Sequence, residues 1–297
     1  MSQQPCQGAP NGRLAGPRGT HYRNTSEIYI VHRLHTSHPW GKKASMDDFD
    51  LSGKVAIVTG GNGGIGRGIA LALARAGADI VIAARNPEKN ASAASEVERF
   101  GHRCVALECD VDECDQIDRT VEQTRREFGG VDILVNNAGI ARGGPPEALD
   151  DETWLEVIQT NLTSVFQFSR AVHPEFKARG AGKIINIGSE YAIFGSALVV
   201  PYSASKGGVV QLTKSLAVAW ARDNIQVNCI IPGWITTDMT AGIKDVPAFS
   251  QQIIDRTPAG RFGEPEECGG AAVFLASAAA NFVTGVSLPV DGGYAIA

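Results

Sequence analysis

No apolar run reaches the roughly 18 residues that a membrane-spanning helix needs, which argues against a bilayer span. Nor does the chain carry a strong excess of one charge: 27 Lys and Arg face 32 Asp and Glu, a net charge of −5. Nucleic-acid surfaces usually leave a basic patch or stripe, so no nucleic-acid partner is expected. None of the six cysteines (Cys6, Cys104, Cys109, Cys114, Cys229 and Cys268) forms a C-x-x-C pair. That disfavours a zinc site and leaves reduced thiols in a cytoplasmic protein.

Acids are nearly absent from residues 1–45, where Glu27 stands against Arg13, Arg18, Arg23, Arg33, Lys42 and Lys43. The same stretch lacks the apolar core of about 7–15 residues that a secretory signal needs. An organelle import peptide would suit its composition. The simpler reading, a disordered extension or a start assigned too far upstream, is preferred. Met46 would then open the domain, which runs over 46–297.

The whole chain is 43% hydrophobic and 20% charged, the profile of an ordinary globule. From Lys54 on, short β-branched runs such as "KVAIVTG", "DIVIAA", "VDILVN" and "IQVNCIIPG" alternate with helical patterns such as "GIGRGIALALARAGA". Seven such strands predict an α/β fold: one Rossmann-type doubly wound domain, a seven-stranded parallel sheet with helices on both faces. Ligands of such sheets sit at the carboxyl ends of the strands.

At the first strand end stands "VTGGNGGIG", Val58 to Gly66. Strand, glycine turn and helix start together make an anion site, because helix-start N–H groups and the helix dipole attract a phosphate. Two registers fit. One is G-x-G-x-x-G on Gly61, Gly63 and Gly66; the other is T-G-x-x-x-G-x-G on Thr59, Gly60, Gly64 and Gly66. About twenty residues on, an acid would bind the ribose 2′-hydroxyl of NAD. Ala83 and Ala84 stand there instead, followed by Arg85, whose fork suits a 2′-phosphate. NADP is therefore the expected cofactor, with NAD the alternative.

"YSASK" sets Tyr202 and Lys206 four apart, on one face if the segment is helical. An ammonium beside a phenol favours the phenolate and would lower a pKa that is normally near ~10. By itself this pair is also an ordinary amphipathic spacing.

"TGGNGGIG", "NNAG" at Asn136–Gly139, Ser189, "YSASK", "PGWITT" and the closing "TGVSLPVDGG" occur in the order seen in short-chain dehydrogenases/reductases. The chain resembles that family over 51–297, with the family's spacing of thirteen between Ser189 and Tyr202. The resemblance implies catalysis by Asn161, Ser189, Tyr202 and Lys206. It implies a dinucleotide loop of Thr59, Gly60, Asn62, Gly64, Ile65 and Gly66, with Arg85, Asp110 and Val111 on the adenosine side. Asn137 and Gly139 would border the adenine ribose, and Lys206 the nicotinamide ribose. Pro232, Gly233, Ile235 and Thr237 would lie along the nicotinamide, beside Tyr202. No metal is called for.

The family register is the second one, which leaves Gly61 and Gly63 as permissive turn residues. Residues 238–264 would form a substrate lid, and a homotetramer is expected. The expected substrate is a small alcohol or carbonyl, a sugar acid or polyol. Sugar-acid members, the gluconate and deoxygluconate dehydrogenases, are the nearest in look. A 3-oxoacyl thioester substrate and a non-catalytic NADP-binding sensor stay open as alternatives.

Overall fold

A computed structural model describes residues 46–297, and the expectations for 1–45 lie outside the described residues. The elements follow in chain order: β1 (Val55–Thr59), α1 (Gly64–Arg75), β2 (Asp79–Ala84), α2 (Pro87–Glu98), β3 (Cys104–Glu108) and α3 (Cys114–Phe128). Next come β4 (Ile133–Asn136), α4 (Asp151–Ile158), α5 (Ser164–Arg179), β5 (Gly182–Ile187) and α6 (Val200–Trp220). The chain closes with β6 (Ile225–Pro232), α7 (Asp238–Lys244), α8 (Pro247–Arg256), α9 (Glu267–Ala276) and β7 (Ser287–Val290). All seven strands are parallel, in the order β3-β2-β1-β4-β5-β6-β7. This is the doubly wound sheet the strand–helix alternation predicts.

Period-two alternation sorts each central strand between two cores. Ala56, Val58, Ile80, Ile82, Ile133 and Val135 point to one face, packing with Ile69 and Leu73 of α1 and Leu275 of α9. Ile57, Val81, Leu134, Ile184 and Val227 point to the other, against Ile117 of α3, Phe168 and Phe176 of α5 and Leu216 of α6. Burial on both faces explains why these strands read as continuous apolar runs. No described helix is long and apolar enough to cross a membrane.

The helical stretch over 150–179, a continuous helix by its sequence pattern, is interrupted by a π-helical turn at Gln159–Thr163. The extra residue in that turn coincides with Asn161, which is fully buried. Residues 238–264, the expected lid, hold α7, α8 and the loop up to Glu264. Pro247 sits in the first turn of α8, where a missing N–H costs nothing.

α1 and α9 cross closely because small residues line the contact. A Cβ on Gly269 would come 2.5 Å from the Cβ of Ala72, and one on Gly68 would come 2.5 Å from the Pro265 carbonyl. Gly270, next in α9, meets nothing within 4 Å. Gly269→Ala is therefore expected to destabilise by about 1–3 kcal/mol through overpacking. Gly270→Ala, an exposed helix position, is expected to be neutral or to stabilise by up to about 1 kcal/mol. Thermal denaturation of the two variants checks this; equal shifts would contradict the close crossing.

Candidate active site

The strand order reverses between β1 and β4, and the crevice there is where doubly wound sheets bind ligands. Side chains lock the two strand ends together. Thr59 Oγ1 accepts from the backbone N–H of Asn137 (2.9 Å) and of Ala138 (3.0 Å). Asn137 Nδ2 returns bonds to the carbonyls of Thr59 (2.9 Å) and Gly60 (3.2 Å).

The glycine turn wraps around this clamp. Gly60 has φ of +61° and Gly64 of +47°, a backbone region that favours glycine. A Cβ on Gly66 would collide with the Gly60 carbonyl and with Asn137 Nδ2. Gly63, by contrast, is extended at φ −164° with open space beside it. The T-G-x-x-x-G-x-G register thus holds the three glycines the backbone demands. Gly61 is not merely permissive as expected, since a Cβ there would lie 3.0 Å from the Val58 carbonyl.

Gly63 caps α1 without a side-chain hydrogen bond, so the first N–H groups of that helix are not spent on a cap. Asn62 donates to Asn90 Oδ1 (2.7 Å), and Asn90 donates to the Ala84 carbonyl (2.7 Å). Asn90 is 2% exposed and anchors the loop from α2, a role the sequence reading missed. Its signal was a polar residue on the apolar stripe of a helix. Ile65 packs into the core, leaving its backbone to face the turn. Arg85 stands open at the end of β2, with Nη1 3.8 Å from Asp110 Oδ2. Val111 is buried beneath them.

On the other side of the crevice, polar side chains are deeply buried. Asn161 Oδ1 accepts from the N–H of Ile140 (2.8 Å), and its Nδ2 donates to the Ile140 carbonyl (2.9 Å) and to Ser205 Oγ (3.1 Å). Ser205 Oγ in turn donates to the carbonyl of Tyr202 (2.7 Å). Lys206, 4% exposed, donates from Nζ to the Ile187 carbonyl at 2.8 Å and lies 5.6 Å from the centre of the Tyr202 ring. Gly139 lies between, where a Cβ would be 3.1 Å from Asn161 Oδ1. Asn161, Ser189, Tyr202 and Lys206 thus lie close together, drawn from three separate stretches of sequence.

Their electrostatics differ from the sequence reading in one respect. Burial pushes the Tyr202 phenol up, and a hydrogen bond with Ser189 acts in the opposite sense. Lys206, whose Nζ donates to the Ile187 carbonyl, does not offset that rise, contrary to expectation. Burial also pulls Lys206 down to about 8, opposed by Cys229.

The segment after β6 meets the glycine turn. Gly233, directly after Pro232, donates to the Val290 carbonyl (3.0 Å), and a Cβ there would meet Asp291. Ile235 is 4% exposed. Thr237 caps α7 in a capping box with Thr240, and its methyl closes over Gly64.

Around Tyr202 stands an aromatic cage. Tyr191 lies edge-on to both Tyr202 and Trp234, and Trp234 meets Phe249, Phe262 and Tyr294. Arg256 of α8 stacks over Phe194 and Tyr294 at 4.8 and 4.2 Å. Glu190, beside Ser189, is 5% exposed. Burial raises its carboxyl to about 8, with Asp291 adding to the rise and Arg256 opposing it.

That shift has a sign in stability. Below the ordinary value of 4.5 both the folded and unfolded chains hold the proton; from there to about 8 only the folded chain does. The wild type therefore loses stability, relative to Glu190→Gln, as pH rises through that window. Melting curves of the pair are expected to diverge from pH 5 to pH 8 and run parallel above. A constant offset would contradict a buried, protonated Glu190.

Known proteins share this arrangement. A family profile described as Enoyl-(Acyl carrier protein) reductase matches residues 60–295. Gluconate 5-dehydrogenase of Gluconobacter oxydans is 42% identical over 250 residues, covering 84% of this chain and 98% of that protein. 2-Dehydro-3-deoxy-D-gluconate 5-dehydrogenase of Bacillus subtilis is 43% identical over 252 residues, covering 84% and 97%. A crystal structure of a gluconate 5-dehydrogenase from Burkholderia cenocepacia, in complex with NADP and tartrate, superposes with a TM-score of 0.81 at 43% identity, covering 84% and 98%. With the glycine turn, the β1–β4 clamp and the converging Asn, Ser, Tyr and Lys side chains all in place, this chain belongs to the short-chain dehydrogenase/reductase family.

Proposed function

We propose that the protein is an NADP-dependent oxidoreductase that interconverts the hydroxyl and carbonyl of a sugar acid. The observation that carries this reading is the convergence of Ser189, Tyr202, Lys206 and Asn161 beside a glycine turn that fits a dinucleotide. Gly60, Gly64 and Gly66 leave the backbone bare where a pyrophosphate would approach, and the start of α1 offers N–H groups. Arg85, 69% exposed in its side chain and at the edge of ion-pair range from Asp110, would pair with a 2′-phosphate. Asp110 and Val111 would border the adenine, Asn137 and Gly139 its ribose, and Pro232, Gly233, Ile235 and Thr237 the nicotinamide. The dinucleotide, when bound, supplies or accepts the hydride.

The chain's own residues handle the proton and the oxygen. Ser189 hydrogen-bonds the substrate oxygen and stabilises the charge that develops there. Tyr202 gives or takes the proton at that oxygen. Lys206, held by the Ile187 carbonyl, would reach the nicotinamide ribose. Asn161 fixes the Ile140 backbone and, through Ser205, the helix turn bearing Tyr202.

Sugar-acid chemistry is supported by the names of the relatives and by the cations at the rim. Arg142, in the loop after β4, and Arg256, on α8, suit a carboxylate, and the cage of Tyr191 and Trp234 suits the face of a carbon chain. A thioester substrate is favoured only by the description of the matching profile. A non-catalytic NADP sensor has no need of the intact quartet. We further propose that 238–264 acts as a lid, with α7 and α8 excluding water when closed.

A homotetramer would cover the exposed Val218 of α6, Phe282 and Ile296. A cytoplasmic setting suits the free thiols of Cys104, Cys109, Cys114, Cys229 and Cys268.

Tyr202→Phe is expected to abolish turnover while changing NADPH affinity by less than about threefold, measured by nicotinamide fluorescence. Wild-type-like turnover in that variant would overturn the assignment. Arg85→Ala is expected to weaken NADPH binding by about tenfold or more and leave NADH binding nearly unchanged. Equal losses for both cofactors would remove the argument for NADP.

A further inference from the structure

The π turn at Gln159–Thr163 carries Asn161 into the site, and something must hold it, since an α-helix would otherwise be the preferred form. Within the turn Thr160, 7% exposed, donates from Oγ1 to Asp112 Oδ2 at 2.9 Å. Gln159 Nε2 reaches the Asp112 carbonyl at 3.4 Å. Asp112 lies just beyond β3, and its N–H donates to Asp110 Oδ1 at 3.2 Å. Asp110 faces Arg85. A continuous polar path thus runs from the end of β3 to Thr160, through Asn161 and Ser205 to the backbone of Tyr202.

We infer that Asp112 and Thr160 form a strut that fixes the π turn and thereby sets the position of Asn161 in the active site. Both act as positioning residues: neither reaches Tyr202 or Ser189. The strut works because the bond starts from the buried Thr160 and is made by short side chains with few rotamers, so a small slip at Thr160 is passed on to Asn161, its chain neighbour. Placement errors of this kind tell on rate more than on affinity.

The inference rests on the catalytic reading of Asn161 and Tyr202, and its tests separate the two. Thr160→Val keeps the shape and removes the donor; Thr160→Ser keeps the donor. With a keto sugar acid and NADPH, Thr160→Val is expected to lower kcat by about tenfold or more while the NADPH dissociation constant stays within about twofold. Thr160→Ser is expected to recover kcat to within about threefold of wild type, since the hydroxyl bond is remade. Asp112→Ala should match Thr160→Val, and the double variant should be no slower than either, because both remove one bond.

Hydrogen exchange supplies a readout that needs no turnover: amides 159–163 should lose protection in Thr160→Val and regain it in Thr160→Ser. Wild-type kcat in Thr160→Val, a Ser variant as slow as the Val one, multiplied losses in the double variant, or unchanged exchange would each overturn the strut. If Thr160→Val fails to fold, Asp112→Ala against Asp112→Asn carries the same comparison, with Asn expected to restore the acceptor. Should Tyr202→Phe be active, the catalytic reading fails; should it be inactive while Thr160→Val is normal, only the strut fails.

Discussion

Everything in the site depends on the reciprocal clamp between Thr59 and Asn137 at the point where the sheet changes direction. β1 and β4 are neighbours in the sheet, but their following segments leave in opposite directions, which opens a crevice. Left to itself, such a crevice would expose unpaired strand-end groups. Thr59 Oγ1 satisfies two backbone N–H groups of β4's extension, and Asn137 satisfies two carbonyls of β1's. The glycine turn can then fold tightly against Asn137, and the "NNAG" loop can lead Gly139 and Ile140 to Asn161. One side of the crevice suits an anion and the other a proton transfer because both are built outward from this pair.

The second theme is the cost of buried charge. Lys206, Glu190 and the Tyr202 phenol all lie where burial opposes ionisation. A chain selected for stability alone would place apolar residues there. Instead Lys206 has the Ile187 carbonyl as its partner, Tyr202 the Ser189 hydroxyl, and Asn161 both backbone groups of Ile140. These bonds fix orientation in advance, which is what positioning a reacting oxygen requires. Glu190, in the turn after Ser189, differs: its Oε1 is buried without a hydrogen-bond partner, and it feels the charges of Asp291 and of Arg256 on α8.

Much of this was legible in the sequence. The seven strands stood out because double-sided burial makes them uninterrupted β-branched runs. The anion turn was legible because Gly60 and Gly64 need backbone angles that other residues resist. The quartet was legible only jointly, since Tyr202 and Lys206 alone are an ordinary helical pair. The π turn at 159–163 was not legible, because "QTNLTSVF" has no periodicity to mark one extra residue; it follows from tertiary bonds of Thr160 and Asn161. Asn90, Arg256 and Asp291 were hidden for the same reason. Each acts through a partner far away in sequence: Asn62, Tyr294 and Glu190. The direction of the Tyr202 shift was misread because proximity to Lys206 was weighed without the burial that the fold imposes.

In the proposed function one crevice brings a dinucleotide on the β1 side to a sugar-acid oxygen on the β5–β6 side. The most direct test is a panel of sugar acids, polyols and 3-oxoacyl thioesters, each run with NADP(H) and NAD(H), followed at the nicotinamide absorbance. Turnover is expected with a sugar acid or its keto form, faster with the phosphorylated cofactor. Tight NADPH binding with no turnover on any sugar acid, or turnover confined to thioesters, would contradict it.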